Sequence, residues 1–240
     1  MFYFDPLYMV MMVAGLVMSL WATTKVKSNF AKYSKIPSSG GLTGAEVARR
    51  ILQANGIHDV EVEPTRSHQF LGMGGDGIID DHYDPRTKKV RLSPQVFEGN
   101  SQAAIGIAAH EVGHAIQHAV GYSAFKLRST IAPAAALGSN MSYFFLMFGF
   151  IFHSMGMIKI GILMFSIAVV FQFITLPVEF DASRRAKKLL VQYNLASGSD
   201  AVGVAKVLDA AALTYVAAAA AALLNLIYFL IRSGLLNNRR

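Results

Sequence analysis

Four long apolar segments constrain the fold of this chain more than any other feature of its sequence. They cover residues 8–22, 141–152, 160–176 and about 210–231. A helix needs about 20 mostly apolar residues to cross the hydrocarbon core of a bilayer. The chain is 53% hydrophobic and only 15% charged, which is too apolar for a soluble domain of ordinary composition. We therefore predict an α-helical integral membrane protein with four transmembrane helices.

The flanks of the first apolar segment predict an anchor that is not cleaved. Asp5 precedes the segment, whereas a signal peptide has a basic start and a small-residue cleavage site. Four lysines follow it: Lys25, Lys27, Lys32 and Lys35. Because cytoplasmic flanks carry an excess of Lys and Arg, we place that side of the first span in the cytoplasm. Arg239 and Arg240 would then lie outside, which opposes the same rule for the last span.

Composition divides the chain into five parts. Residues 1–24 form an N-terminal transmembrane anchor, and residues 129–177 form a transmembrane hairpin. Residues 25–128 hold most of the His, Asp and Glu residues, and we predict for them a small α+β zincin-like metallopeptidase domain on the cytoplasmic side. Residues 178–209 form a basic cytoplasmic helical segment. Residues 210–240 form the last transmembrane helix.

Local signals predict both helix and strand in the domain of residues 25–128. Thr43 and Glu46 have the spacing of a capping box, so a helix should begin there and run to about residue 55. Alternating apolar residues predict short strands near residues 60–62 and 88–92, with the turn of a hairpin at residues 84–87. The strand at residues 88–92 could pair with an extended peptide substrate by edge addition.

The motif His-Glu-Val-Gly-His at residues 110–114 predicts a metal site. On a helix, His110 and His114 project from one face one turn apart, so both imidazoles can bind one Zn²⁺. Glu111 lies beside the first ligand, where a carboxylate can take a proton from metal-bound water and later pass it to the leaving amine. This is the chemistry of a peptidase or an amidase. A polar helix face with two unrelated histidines is the alternative interpretation.

A catalytic zinc takes three protein ligands and leaves one position for water, so a third ligand must come from elsewhere. His118 lies about 12 Å along the helix axis from His110, too far to share the ion, and we assign it to packing or outer support. Glu179 is the better candidate, because two spans separate it from His114 and return the chain to the same face. Asp181 is its rival, but two residues turn a helix by about 200°. A carboxylate that merely interacts with a helix dipole is the alternative interpretation of Glu179.

A polar cluster precedes the predicted hairpin turn. Its members are Asp80, Asp81, His82, Tyr83 and Asp84. Such a cluster can supply an oxyanion donor or a further metal ligand. A solvated turn explains it equally well.

Composition also excludes several classes of partner and cofactor. The chain has no cysteine, so thiolate ligands, disulfides and a cysteine nucleophile are excluded. Its net charge of +7 is explained by basic residues that flank membrane spans, and we predict no nucleic-acid partner. The predicted cofactor is Zn²⁺, and the predicted partners are a protein or peptide substrate and the lipid bilayer. An oligomer or an accessory membrane protein is compatible with four spans.

Five sequence blocks in the same order resemble the membrane-bound neutral zinc metallopeptidases of the YugP type. The blocks are residues 42–52, 81–93, 108–118, 177–186 and 207–218. The resemblance covers nearly the whole chain. It implies a multi-pass protein of the bacterial cytoplasmic membrane with a zincin domain. The basic residues that flank the spans place the active site of that domain on the cytoplasmic side.

A more distant similarity extends to the HtpX heat-shock proteases and the type I CAAX prenyl proteases. They share the order of HExxH, membrane hairpin and a later Glu that completes the zinc site. This similarity implies a gluzincin site in which His110, His114 and Glu179 are ligands and Glu111 is the base. In those relatives an Asp usually stands four residues after the ligand Glu, whereas this chain has Ser183.

Together these features predict a membrane-bound zinc metalloendopeptidase that hydrolyses peptide bonds of membrane or membrane-proximal proteins. Zinc-bound water activated by Glu111 is the predicted nucleophile. One alternative is a non-catalytic membrane scaffold or assembly partner with a structural zinc. Another is a site-2-type intramembrane protease, which would need a Leu-Asp-Gly motif, and residues 208–210 (Leu-Asp-Ala) only approach it.

Overall fold

The computed structural model describes residues 5–65 and 81–235. Asp80, Arg239 and Arg240, which the sequence singled out, lie outside the described residues. The elements follow in the order α1 (Pro6–Tyr33), α2 (Gly44–Ala54), β1 (Glu61–Pro64), β2 (His82–Asp84), β3 (Lys89–Leu92), α3 (Pro94–Phe97), α4 (Gln102–Ala119), α5 (Ser123–Ile151), α6 (Met155–Gln192) and α7 (Gly198–Arg232).

Four of these helices, α1, α5, α6 and α7, are long and apolar enough to cross a membrane. The prediction of four helices able to span a membrane, beside a small sheet, is confirmed. Many of their large apolar side chains are exposed, among them Val10, Leu16 and Leu163. Such side chains are stable in contact with lipid, because hydrocarbon tails are as apolar as they are.

The chain forms two compact units. The described residues of 1–23, 126–177 and 213–240 form the helical unit, and those of 24–125 and 178–212 form the sheet unit. In the helical unit, α5 and α6 pack as a close hairpin. A Cβ atom at Gly149 would lie 2.9 Å from the backbone nitrogen of Ile158, and one at Gly161 would lie 3.0 Å from that of Leu146. Glycines therefore set the distance between these two helices.

The start of α1 and the end of α7 meet within the helical unit. The Tyr228 hydroxyl donates a hydrogen bond of 3.1 Å to Asp5, and the rings of Tyr8 and Tyr228 have centroids 4.9 Å apart. Farther along both helices, a Cβ at Gly15 would be 3.4 Å from that of Ala221. The last helix therefore runs antiparallel to the first and ends beside its beginning.

Two membrane helices extend beyond their predicted limits. The helix α5 begins at Ser123 and contains Pro133, and α6 continues through Pro177 into the basic segment that was predicted as a separate helix. The loop between α5 and α6 covers residues 152–154, fewer than the residues 153–159 that separate the second and third apolar segments. Proline is tolerated within membrane helices when neighbouring groups satisfy the freed carbonyl, so it does not end them.

The sheet unit contains a three-stranded sheet with the order β1-β3-β2. The hairpin prediction is confirmed, since β2 and β3 are antiparallel and pair Asp84 with Lys89 across the turn. The strand β1 joins the other side in parallel and pairs Glu61 with Lys89. The predicted edge addition of substrate to residues 88–92 is therefore wrong, because β3 is already hydrogen-bonded on both sides.

The core of the sheet unit lies between α2, the sheet, α4 and parts of α6 and α7. The predicted capping box is present: Glu46 N–H donates to Thr43 Oγ1 at 3.2 Å, and Thr43 N–H donates to the Glu46 carboxylate at 2.8 Å. The largest fully buried apolar side chains include Ile51, Leu92, Ile105, Leu190 and Leu208. This core fixes α4 against α6, the two helices on which the predicted site residues lie.

Candidate metal centre

The helix α4 carries the His-Glu-Val-Gly-His motif. It begins after Ser101, whose hydroxyl accepts a hydrogen bond of 3.2 Å from the N–H of Ala104 as an N-cap. Small apolar residues on its buried faces allow other elements to pack closely against it. His110 and His114 lie one turn apart on one face, and the centroids of their rings are 4.8 Å apart.

Gly113 allows α4 to cross α6 at very short range. A Cβ atom at this position would lie 2.8 Å from the carbonyl oxygen of Ala182 and 3.1 Å from its Cα. Only glycine fits without a shift of backbone. Since Ala182 lies one turn after Glu179 on α6, this crossing places the carboxylate of Glu179 beside the histidines.

His110, His114 and Glu179 form a group that could hold a metal ion, with one candidate ligand atom from each within 4.8 Å of the others. Glu179 Oε2 is 3.2 Å from His110 Nε2 and 3.5 Å from His114 Nε2. Tetrahedral zinc with bonds of about 2.0–2.2 Å requires ligand atoms about 3.3 Å apart. Glu179 is only 1% exposed. The donor atoms and the two distances from Glu179 to the histidines therefore fit Zn²⁺ with three protein ligands.

The outer nitrogens of both imidazoles have hydrogen-bond partners of their own. His110 Nδ1 is 3.1 Å from Ser183 Oγ, and His114 Nδ1 is 3.0 Å from Gln117 Oε1. Both Nε2 atoms consequently face Glu179. Ser183 stands where the distant relatives usually have Asp, and it contacts the first histidine of the motif with a hydroxyl instead of a carboxylate.

Glu111 is buried next to this group, with 8% of its surface exposed. Burial raises the pKa of the Glu111 carboxyl to about 8; His110 opposes the shift, whereas the charges of Glu179 and Asp81 add to it. A hydrogen bond from the backbone of Tyr83 also favours the charged form. A bound cation would favour that form further. Such a carboxyl can both accept and return a proton near neutral pH.

Comparison with known proteins agrees with this geometry. The model of the family described as "Putative neutral zinc metallopeptidase" matches residues 8–234. The chain belongs to this family. It is also 48% identical over 223 residues to the Bacillus subtilis (strain 168) protein described as "Putative membrane protease YugP", which covers 93% of this chain and 95% of that protein. No solved structure matches the chain.

Family membership confirms the predicted cofactor and protein class. Zn²⁺ is the metal of the neutral zinc metallopeptidases, and the two histidines and one glutamate that lie together are a suitable ligand set for it. The relative is a membrane protease by its description, and four helices of this chain are apolar enough to span a bilayer. The chain is therefore a membrane protein of a peptidase family.

Two further candidate site residues, His118 and Tyr83, lie apart from the group of His110, His114 and Glu179. The Nδ1 atom of His118 is 2.8 Å from the Tyr83 hydroxyl, and both rings contact Phe125. This agrees with the assignment of His118 to packing. Burial raises the pKa of Tyr83 to about 12. In this structure the Tyr83 hydroxyl is directed at His118.

The acidic residues before the hairpin turn stabilise local structure. Asp81 accepts a hydrogen bond of 2.6 Å from the backbone N–H of Ser93. Asp84 accepts bonds from the N–H of Arg86 and the hydroxyl of Thr87 at 2.9 and 2.7 Å. These bonds favour the interpretation of a structural turn over that of a metal ligand.

Two other acids also point to partners outside the group. The rival ligand Asp181 is oriented toward Gln117, Arg184 and Arg185. Asp209, in the segment that approaches a site-2 motif, is largely exposed and pairs with Lys187 at 2.8 Å. Neither belongs to the His-His-Glu group found among the described residues.

Three residues of the site were missed or left without a role by the sequence analysis: Gly113, Gln117 and Ser183. Two of them had a usable signal. Gln117 follows His114 by three residues and Ser183 follows Glu179 by four, and both spacings place side chains on one helix face. Gly113 had no comparable signal, because its importance depends on the element that lies opposite.

Proposed function

We propose that this protein is a membrane-bound zinc metalloendopeptidase of the gluzincin type. His110, His114 and Glu179 would hold Zn²⁺, and Glu111 would be the general base. The observation that supports this most is that Glu179 Oε2 lies 3.2 and 3.5 Å from the Nε2 atoms of His110 and His114, close to the edge length of a zinc tetrahedron. The fourth vertex is left for water or substrate, as a catalytic site requires.

Glu111 would perform the acid–base steps of the reaction. A bound Zn²⁺ supplies Lewis-acid polarisation of the scissile carbonyl and lowers the pKa of water at the site. Glu111 would take the proton from the attacking water and return it to the leaving amine. Its burial next to His110 and Glu179 keeps it out of bulk water and oriented for both transfers.

The proposed substrates are membrane or membrane-proximal proteins on the cytoplasmic side. Two sets of basic residues support this orientation: the lysines of α1 that follow the first apolar segment, and the cluster of α6 that follows the third. The latter set comprises Arg184, Arg185, Lys187 and Lys188. A protease of this placement would act on peptide segments at the bilayer surface.

Metal content and cleavage measured on purified full-length protein test this proposal. We expect the wild type to hold one Zn²⁺ and to cleave an unfolded membrane-protein substrate. Glu179→Ala should lose both properties. Glu111→Gln should keep the metal and lower kcat/KM by about 10²–10⁴-fold, the usual contribution of a general base.

Asp209→Asn is the matched control, since it alters an exposed carboxylate of the same unit. It should retain zinc and cleavage. Undiminished cleavage by Glu111→Gln would refute the enzymatic role of Glu111. A wild type that holds zinc and cleaves nothing would favour a structural zinc in a membrane scaffold. Loss of activity in Asp209→Asn would instead favour a site-2-type ligand set.

A further inference from the structure

A chain of buried hydrogen bonds extends behind His114, on the side away from Glu179. The side-chain oxygen of Gln117 lies 3.0 Å from His114 Nδ1 and can only accept, so this hydrogen bond requires a proton on Nδ1. The Gln117 amide nitrogen lies 2.8 Å from the Val178 carbonyl and 2.9 Å from Asp181 Oδ2. Asp181 in turn pairs with Arg185 at 2.5 Å.

The acceptors around Gln117 determine which way its amide faces. An amide nitrogen has two N–H groups, and the Val178 carbonyl and the Asp181 carboxylate accept both. The reverse orientation would set the amide oxygen against two other acceptors. The oxygen must therefore face His114, and an amide oxygen can only accept. His114 Nδ1 must carry the proton, so its lone pair is on Nε2.

We propose that Gln117 and Asp181 are positioning residues that hold His114 in the tautomer and ring orientation that zinc requires. Asp181 orients the Gln117 amide, and the amide orients the imidazole of His114. The Asp181 carboxylate therefore acts on the imidazole indirectly, through Gln117. This inference rests on the proposed role of His114 as a zinc ligand. It assigns a role to Asp181, whose carboxylate is not a ligand.

Burial and charge support a defined role for both residues. Gln117 is 0% exposed and Asp181 is 4% exposed. A buried carboxylate is costly unless charged partners compensate it, and Asp181 has Arg185 and the more exposed Arg184 as such partners. Because the carboxylate is compensated, it remains available as a fixed acceptor for Gln117.

Helix α4, which carries Gln117, also provides a control for what a buried hydrogen bond from glutamine to aspartate contributes to stability alone. Gln102 on α4 is also buried, and its amide donates a 3.0 Å hydrogen bond to the buried carboxylate of Asp200. It lies two turns before His110 and bonds to no member of the metal group. Gln102→Met and Gln117→Met therefore remove the same kind of interaction, but only the second removes a partner of His114.

The test is the dissociation constant of Zn²⁺, measured by chelator competition on full-length protein, with the absorption spectrum of the Co²⁺-substituted form as a second readout. Loss of an outer hydrogen bond to a zinc-bound histidine typically weakens metal binding by about 10–100-fold. We expect this weakening and an altered Co²⁺ spectrum for Gln117→Met. Gln102→Met should lower thermal stability and leave zinc affinity within about twofold.

Two variants at Asp181 test the relay without altering Gln117. Asp181→Asn keeps an oxygen acceptor for the amide, so its zinc affinity should remain close to that of the wild type. Asp181→Leu removes the acceptor and should weaken zinc binding about tenfold. These two variants decide the question if Gln117→Met fails to fold.

The outcomes separate this inference from the proposed function. If the wild type binds no zinc, or if His114→Ala binds it unchanged, the proposed ligand set is wrong. If the wild type binds zinc and Gln117→Met binds it as tightly as Gln102→Met does, the positioning role is wrong. Equal zinc affinities for Asp181→Asn and Asp181→Leu would likewise exclude the relay.

Discussion

Substitution of Gly113 by alanine tests whether the crossing of α4 and α6 determines the metal geometry. The added Cβ would lie 2.8 Å from the Ala182 carbonyl oxygen. Ordinary contacts begin at 3.4 Å, so the two backbones must separate by about 0.6 Å in a close-packed interior. Zinc–ligand distances tolerate only about 0.2 Å. The displacement is therefore larger than the site can absorb.

The expected effect on stability is smaller than the effect on the metal. Overpacking costs about 1–3 kcal/mol, whereas alanine is better than glycine inside a helix by about 1 kcal/mol. We expect a net loss of about 0–2 kcal/mol in the free energy of unfolding. Glu179 moves away from both histidines, so the Kd for Zn²⁺ should rise at least about tenfold, or 1.4 kcal/mol.

Gly106→Ala is the matched control on the same helix. Its Cβ would meet the Val204 side chain at 3.2 Å, and a side chain can move more easily than backbone. Both variants should be measured by chelator competition and by thermal unfolding in the same detergent. Wild-type zinc affinity in Gly113→Ala, or an equal loss in Gly106→Ala, would refute the argument that this crossing sets the site.

Three other perturbations have defined outcomes. Tyr83→Phe removes the hydroxyl bonded to His118 and should cost about 0.5–1.5 kcal/mol of stability without a change in zinc content; lost zinc would show that His118 supports the metal. Asp200→Ala leaves donors of Ser39, Ser197 and Gln102 without their shared buried acceptor. It should lower the free energy of unfolding, measured by thermal unfolding, by about 3 kcal/mol. A loss below about 1 kcal/mol would show that water replaces the carboxylate. Free zinc at 100 times Kd should stabilise the wild type by about 2.7 kcal/mol over chelator-treated protein, and Glu179→Ala should not respond.

The parts of the site that the sequence predicts are those set by helix geometry within one segment. The four-residue spacing of His110 and His114 predicts a shared face on any helix. Counting spans extends the argument to Glu179, because an even number of crossings returns the chain to the same side. The structure places all three side chains together. Their distances, however, depend on the packing of α4 against α6.

Structural features that depend on elements distant in sequence are not predicted by local sequence patterns. The strand β3 was predicted as an edge, but β1 pairs with it on the side away from β2. Periodicity gives the faces of a strand and does not give its neighbours in a sheet. The continuity of α5 and α6 through Pro133 and Pro177 is a second example. It depends on neighbouring groups that satisfy the freed backbone carbonyls.

The proposed ligands and the residues that support them come from the same two helices, which explains how so few residues can define the site. Gln117 lies one turn after His114 on α4, and Ser183 lies one turn after Glu179 on α6. Each helix thus carries both a proposed ligand and a residue hydrogen-bonded to an imidazole: Gln117 bonds to His114 within α4, whereas Ser183 reaches from α6 to His110. One helix crossing therefore fixes the metal-facing and the outer contacts together, and a change in that crossing must disturb both.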